Sequence, residues 1–217
     1  MRLLDIHTHH IPSDDDHNLS VLNLFPEDYA NIGKYHPSTL FSIGIHPWRI
    51  DNSEDKLRQL RGVLDDRRIV AVGEAGLDKF AAASMEVQME VFKGQVLLSE
   101  TFQKPMIIHA VRVWDKLIDV FEEINPLQPW ILHGFRGKPE LARRLAECGF
   151  YFSIGEFFNP ESLKLIPVER LFCETDESLL PIAEIYRRIA KELNMDLEIL
   201  AGTIGENFRR LFLNDEE

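Results

Sequence analysis

The segment DIHTHH places His7 and His9 two positions apart, directly behind the apolar start MRLLDI. Side chains at i and i+2 of a strand point to the same face, so this pair can bind one metal ion together. Further along stand His46 in GIHPW, Glu74 in GEAGLD, His109 in IIHA, His133 in LHGF and Asp176 in ETDES. Imidazole and carboxylate suit zinc, manganese or iron, whereas a pure oxygen shell suits magnesium better. Four of these histidines and the two carboxylates can hold two divalent ions if one carboxylate bridges them. Two ions about 3.5–4 Å apart can activate water and stabilise both oxygens of a phosphoryl displacement. The chain offers no convincing Ser or Cys nucleophile motif that would compete with this chemistry.

Each residue alone has a plainer use. A lone buried histidine is more often satisfied by a core hydrogen bond than by a metal. Asp176 could cap the helix after the last strand, and Glu74 could be a turn residue beside glycines. Their shared position changes the weighing, because each falls at the same end of a separate expected strand. His10, His17 and His36 lack that support and read as surface or loop residues. The run Asp14-Asp15-Asp16 reads as solvated.

The elements that must position these residues are short apolar runs of buried-strand length: Leu3–Ile6, Ser20–Phe25, Leu40–Ile45, Arg68–Gly73, Pro105–Ala110, Pro129–His133, Phe150–Gly155 and Arg170–Thr175. Continuous apolarity, rather than alternation, indicates strands covered on both faces, as in a parallel sheet. Helical segments separate most of them. Ser84–Gln103 has a Ser start and stops before Pro105, and KPELARRLAECG has Pro139 near its start and Gly149 just past its end. RVWDKLIDVFEEI, PIAEIYRRIAKEL and DLEILAGTIGENFRRLFL complete the later units. Eight strands with intervening helices point to an α/β fold, a TIM-type (β/α)8 barrel, in which the C-terminal strand ends converge on one mouth. Only IPSDDDHNL lies between His10 and Ser20, too short for a helical crossover, so the first barrel helix is expected to be missing. PEDYANIGKY supplies at most a short second one.

At 217 residues and 45% hydrophobic composition the chain can bury a sizeable core, and residues 1–217 read as a single domain without repeats or linkers. A formal net charge of −12 excludes a broad basic face for duplex DNA. Cys148 and Cys173 fit no disulfide framework and suggest a reducing compartment. With no membrane-length apolar run and no signal-peptide pattern, a cytoplasmic location is expected, with no membrane and no obligate protein partner, as a monomer or weak oligomer.

The ordered set DIHTHH, GIHPW, VGEAGLD, MIIHA, LHGFRG, FYFSIG, LFCETD and IGENFRRLF resembles the TatD family of metal-dependent hydrolases over nearly the whole chain. The resemblance implies a TIM-type barrel and metal-dependent hydrolysis of phosphodiester bonds in DNA. It assigns His7, His9, Glu74 and Asp176 to one divalent ion, with Glu74 bridging to a second ion held by His109 and His133. His46 is implied as a substrate contact, and Asp176 as the group that orients or deprotonates the attacking water. Neither ligand type nor spacing selects among zinc, manganese and magnesium. The chain is shorter than usual for the family between His10 and Leu40. Lys79 stands where an aromatic residue commonly follows GLD, and Arg136 where a small polar residue is common. Both are candidate phosphate contacts.

The expected function is cleavage of nucleic acid from single-stranded ends by attack of metal-bound hydroxide, with Asp176 as general base. Trp48, near His46, could stack a base, although a core or rim tryptophan is the more usual role. The alternatives are hydrolysis of a small ester, amide or phosphomonoester on the same dinuclear site, and a non-catalytic metal-binding interaction protein.

Overall fold

The computed structural model describes residues 2–11 and 18–213. Eight parallel strands follow one another in sheet order exactly as in sequence: β1 (Leu4–Thr8), β2 (Leu19–Leu24), β3 (Leu40–Ile43), β4 (Ile69–Asp78), β5 (Met106–Val111), β6 (Trp130–Leu132), β7 (Tyr151–Ile154) and β8 (Leu171–Cys173). Sequential parallel order with intervening helices is the topology of a TIM-type (β/α)8 barrel. The helices are α1 (Ser53–Val63), α2 (Met85–Phe102), α3 (Trp114–Ile124), α4 (Pro139–Cys148), α5 (Pro160–Leu163), α6 (Ile182–Leu193) and α7 (Leu197–Phe212). Among the described residues no helix separates β1 from β2, and the segment after β2 forms a 3-10 helix at Pro26–Lys34. Asp14, Asp15, Asp16 and His17 lie outside the described residues.

By their contacts the residues fall into two compact units, Met1–Leu22 with Ile131–Glu217, and Asn23–Trp130. In the first, β1 pairs with the start of β2 (Leu4 opposite Leu19), β6 with β7, and β7 with β8. A parallel bridge from Thr8 to Asp176 ties β1 to the chain just past β8. On the outer side, the Tyr186 hydroxyl of α6 donates to the Leu4 carbonyl and accepts from its amide. Asn207 of α7 donates to the carbonyls of Val168 and Leu171. These polar anchors use side chains that are buried and therefore need partners. Pro139 opens α4 and Gly149 closes it in the left-handed conformation, φ 108°, as its sequence requires.

In the second unit, β4 pairs with β3 and β5, and all ten of its residues are buried. The strand runs on past Gly73, where the apolar pattern stops, to Asp78. It can do so because Gly76 lies against β5: a Cβ there would stand 2.0 Å from the His109 carbonyl oxygen. Helix α2 is capped by Ser84, whose hydroxyl accepts from the Val87 amide. It turns two buried glutamines, Gln88 and Gln95, toward the sheet. Seven positions apart, they share one helix face. Gln95 bonds both the amide (2.6 Å) and the carbonyl (3.0 Å) of Ile45, and Gln88 bonds the amide (2.8 Å) and carbonyl (3.0 Å) of Asp78. Backbone at the ends of β3 and β4 that a sheet would leave unpaired is thus satisfied from the helix.

Candidate metal centre

The first unit gathers His7, His9, His133 and Asp176. His7 lies within β1 and is fully buried; His9 follows that strand and His133 follows β6. The His7 ring centroid is 5.1 Å from that of His9 and 4.6 Å from that of His133. Nε2 of His7 and Nε2 of His9 lie 3.7 and 3.6 Å from Oδ1 of Asp176. His7, His133 and Asp176 each offer a ligand atom, all within 4.8 Å of one another. Asp176 does not cap the helix that follows, whose N-cap is Pro181. Its backbone is left-handed at φ 54°, a conformation that aspartate tolerates better than most residues. Its amide donates to the His7 carbonyl (2.9 Å) and its carbonyl accepts from the His9 amide (3.1 Å). The HxH segment and the aspartate are therefore locked together through main chain.

Buried carboxylates support this group, and sequence reading missed both. Glu174, fully buried, sits with Oε1 3.5 Å from Nδ1 of His133 and also accepts from the Gly134 amide. Burial alone would push its carboxyl up, but the His133 hydrogen bond, with the charges of His133 and His7, outweighs that and holds it below the ordinary value. Asp5 accepts from the Thr175 amide (3.0 Å) and hydroxyl (2.6 Å), and that hydroxyl also pairs with Thr8 (2.8 Å). Burial pushes the Asp5 carboxyl up to about 7 against those hydrogen bonds.

The second unit gathers His46, Glu74 and His109, again with one ligand atom each within 4.8 Å. Glu74 lies inside β4 rather than after it, and His109 inside β5. Oε1 of Glu74 is 2.7 Å from Nδ1 of His109 and 3.3 Å from Nε2 of His46. His46, implied by resemblance as a substrate contact, thus stands close enough to Glu74 to share a ligand set. The Glu74 amide donates to Oδ1 of Asn23 (2.7 Å), which also accepts from the Ser42 hydroxyl (3.0 Å). Nε2 of His109 lies 3.0 Å from Oδ2 of Asp78. Both ring nitrogens of His109 thus face carboxylate oxygens, Nδ1 towards Glu74 and Nε2 towards Asp78, and the two carboxylates fix the plane of the ring between them. Burial would raise the Asp78 carboxyl, but His109, the Phe80 amide and Trp48 hold it below its usual value.

The donor chemistry of both groups fits divalent transition-metal ions: imidazole nitrogens and carboxylate oxygens at mutual distances that one ion can span. Lys79 and Arg136 are exposed, and neither side chain makes a hydrogen bond or ion pair with a described residue. His10 and His36 are also exposed. Cys173, at the end of β8, is fully buried, and burial pushes its thiol well above the ordinary value, which disqualifies it as a nucleophile. No helix among the described residues is long and apolar enough to cross a membrane.

A family model described as TatD related DNase matches residues 20–213. A metal-dependent hydrolase of Buchnera aphidicola is 31% identical over 201 residues, covering 82% of this chain and 76% of the relative. The metal-dependent hydrolase YabD of Bacillus subtilis is 31% identical over 194 residues, covering 79% and 76%. Among solved structures, the TatD homologue YjjV of Escherichia coli superimposes with a TM-score of 0.86 at 21% identity, covering 97% of this chain and 98% of that one. A TatD-family hydrolase of Entamoeba histolytica gives 0.78 at 15% identity, covering 98% of each. These two structural likenesses speak for the fold.

Proposed function

Because the chain belongs to the TatD family of metal-dependent hydrolases, we propose that it hydrolyses phosphodiester bonds of DNA at single-stranded ends, with a divalent ion at each of its two ligand groups. The observation that carries this reading is the composition of those groups, in which histidines in or just past strands meet carboxylates within 4.8 Å. Bound divalent ions supply an activated water and offset the charge on phosphoryl oxygens.

The protein's own groups then have distinct tasks. Asp176, fixed through its main chain to His7 and His9, takes the proton of the attacking water. Glu174 and Asp78 fix the rings of His133 and His109. Such outer carboxylates set the tautomer and raise the basicity of the ligand nitrogen. Lys79 and Arg136, exposed and without ion-pair partners among the described residues, are available to phosphate oxygens. A chain with net charge −12 suits short ends better than long duplex, since it lacks the cations to neutralise many phosphates.

The test is to strip the purified chain of metal, restore manganese, magnesium or zinc separately, and follow an end-labelled single-stranded DNA. Metal-dependent stepwise shortening that disappears in Asp176→Asn is the expected result. No cleavage with any metal contradicts the nuclease reading and moves the substrate to small phosphoesters or another hydrolysable bond.

A further inference from the structure

Asp78 does more than hold His109. The same Oδ2 that faces His109 accepts the indole N–H of Trp48 at 2.7 Å, and Oδ1 accepts the Phe80 amide at 2.8 Å. Both aromatic side chains are largely in solvent, Trp48 at 65% and Phe80 at 61% exposure. Single exposed aromatics are common on proteins. Two aromatic residues fastened by one buried carboxylate, which also holds a metal-ligand candidate, are not a random scatter. Trp48 is fixed at its polar edge, so its ring faces stay available while its orientation is set. Its ring also stands 6.2 Å from that of His46. The Arg112 guanidinium lies 5.4 Å from the Phe80 ring centroid, and Lys79, next to Phe80, is exposed.

We infer that Trp48 and Phe80 form a stacking subsite for the unpaired bases of a single-stranded nucleic-acid end, registered to the metal ligands through Asp78. This rests on the phosphodiesterase reading above and adds what recognises the substrate. Flat, apolar faces, one of them oriented through its indole N–H and both anchored on one carboxylate, flanked by cations, match a base with its adjoining phosphates. Stacking on such faces is tolerant of sequence because every base has a π-face. An acidic protein that cannot grip a long phosphate backbone gains affinity this way without a basic groove.

The test compares a short oligothymidylate with an abasic oligomer of the same length and phosphate count. Binding is measured by calorimetry on the full-length, metal-loaded chain carrying Asp176→Asn, so that no turnover is needed. The base-bearing oligomer should bind about ten-fold or more tightly than the abasic one. Phe80→Leu and Trp48→Ala should each erase most of that gap and leave abasic affinity unchanged, while Phe80→Tyr and Trp48→Phe, which keep a ring, should retain most of it. Circular dichroism and metal content on each variant separate a lost ring from a lost fold or ligand. Equal affinity for the two oligomers, or a gap that survives both ring deletions, overturns the subsite. If base-dependent binding appears but the unsubstituted chain cleaves neither oligomer, the phosphodiesterase reading fails and the subsite stands. Cleavage without base-dependent binding has the reverse meaning.

Discussion

At the scale of single residues, chemistry was legible where it ended an apolar run. His7, His9, His46, Glu74, His109, His133 and Asp176 are marked in sequence because they recur in or beside the same end of separate apolar runs, a coincidence that their individual structural uses do not explain. Their supporting residues carry no such mark. Glu174 and Asp78 sit two and four positions from a candidate, yet only the folded strands reveal which histidine each one holds. Asn23 meets Glu74 across 51 positions, a pairing that no local pattern encodes. Asp176 yields the sharpest residue-level expectation. Asparagine tolerates the left-handed backbone as aspartate does, so Asp176→Asn should fold normally while losing the general base. Turnover should fall by about 10²–10⁴-fold with unchanged circular dichroism. Activity within a few-fold of the parent would remove Asp176 from that role.

The strand cores were readable at the scale of elements, and their limits were not. Continuous apolarity located all eight strands, but β4 was expected to stop at Gly73 because glycines and a glutamate usually end a run. The observed strand continues to Asp78 because Gly76 admits the neighbouring main chain, a condition set by β5 and not by the local residues. Helix α1 was not anticipated either. Its sequence, SEDKLRQLRGV, is mostly polar, and only Lys56 and Leu60 are buried on it, so its amphipathic signal is weak. The tight apposition at Gly76 makes a prediction about β4 and β5 together. Gly76→Ala must part the two strands at His109, at a cost of about 1–3 kcal/mol by the general scale of overpacking. Urea denaturation should show the loss, accompanied by weaker metal binding at the His46–Glu74–His109 group. A variant as stable and as well metallated as the parent would show that the strands yield freely.

For the molecule as a whole, the eight-stranded parallel topology could be inferred from strand count and order. Stability against acid depends on carboxylates held by partners. In the turn before β4, Asp66 accepts from the Arg68 side chain (3.1 Å) and amide (2.9 Å) and from the Tyr29 hydroxyl (3.2 Å). Partial burial would raise its carboxyl, but Arg68, by hydrogen bonds and charge, and Tyr29 hold it below the ordinary 3.8. A depressed carboxyl stabilises the fold above its unfolded value and loses that contribution as pH falls through the folded value. The stability gap between the parent and Asp66→Asn should therefore be full near neutrality and shrink below about pH 4. Denaturation midpoints across that range check it, and a gap that stays constant would deny the carboxylate its role.

The central claim is that each of the two histidine–carboxylate groups holds a divalent ion, and metal content tests it most directly. The full chain, saturated with manganese and freed of excess, should carry two ions by mass spectrometry of its metals. His109→Ala should lose the ion of its group, and His7→Ala the ion of the other. Fewer than two ions in the parent, or a content that either substitution leaves unchanged, would contradict the claim that each group holds one.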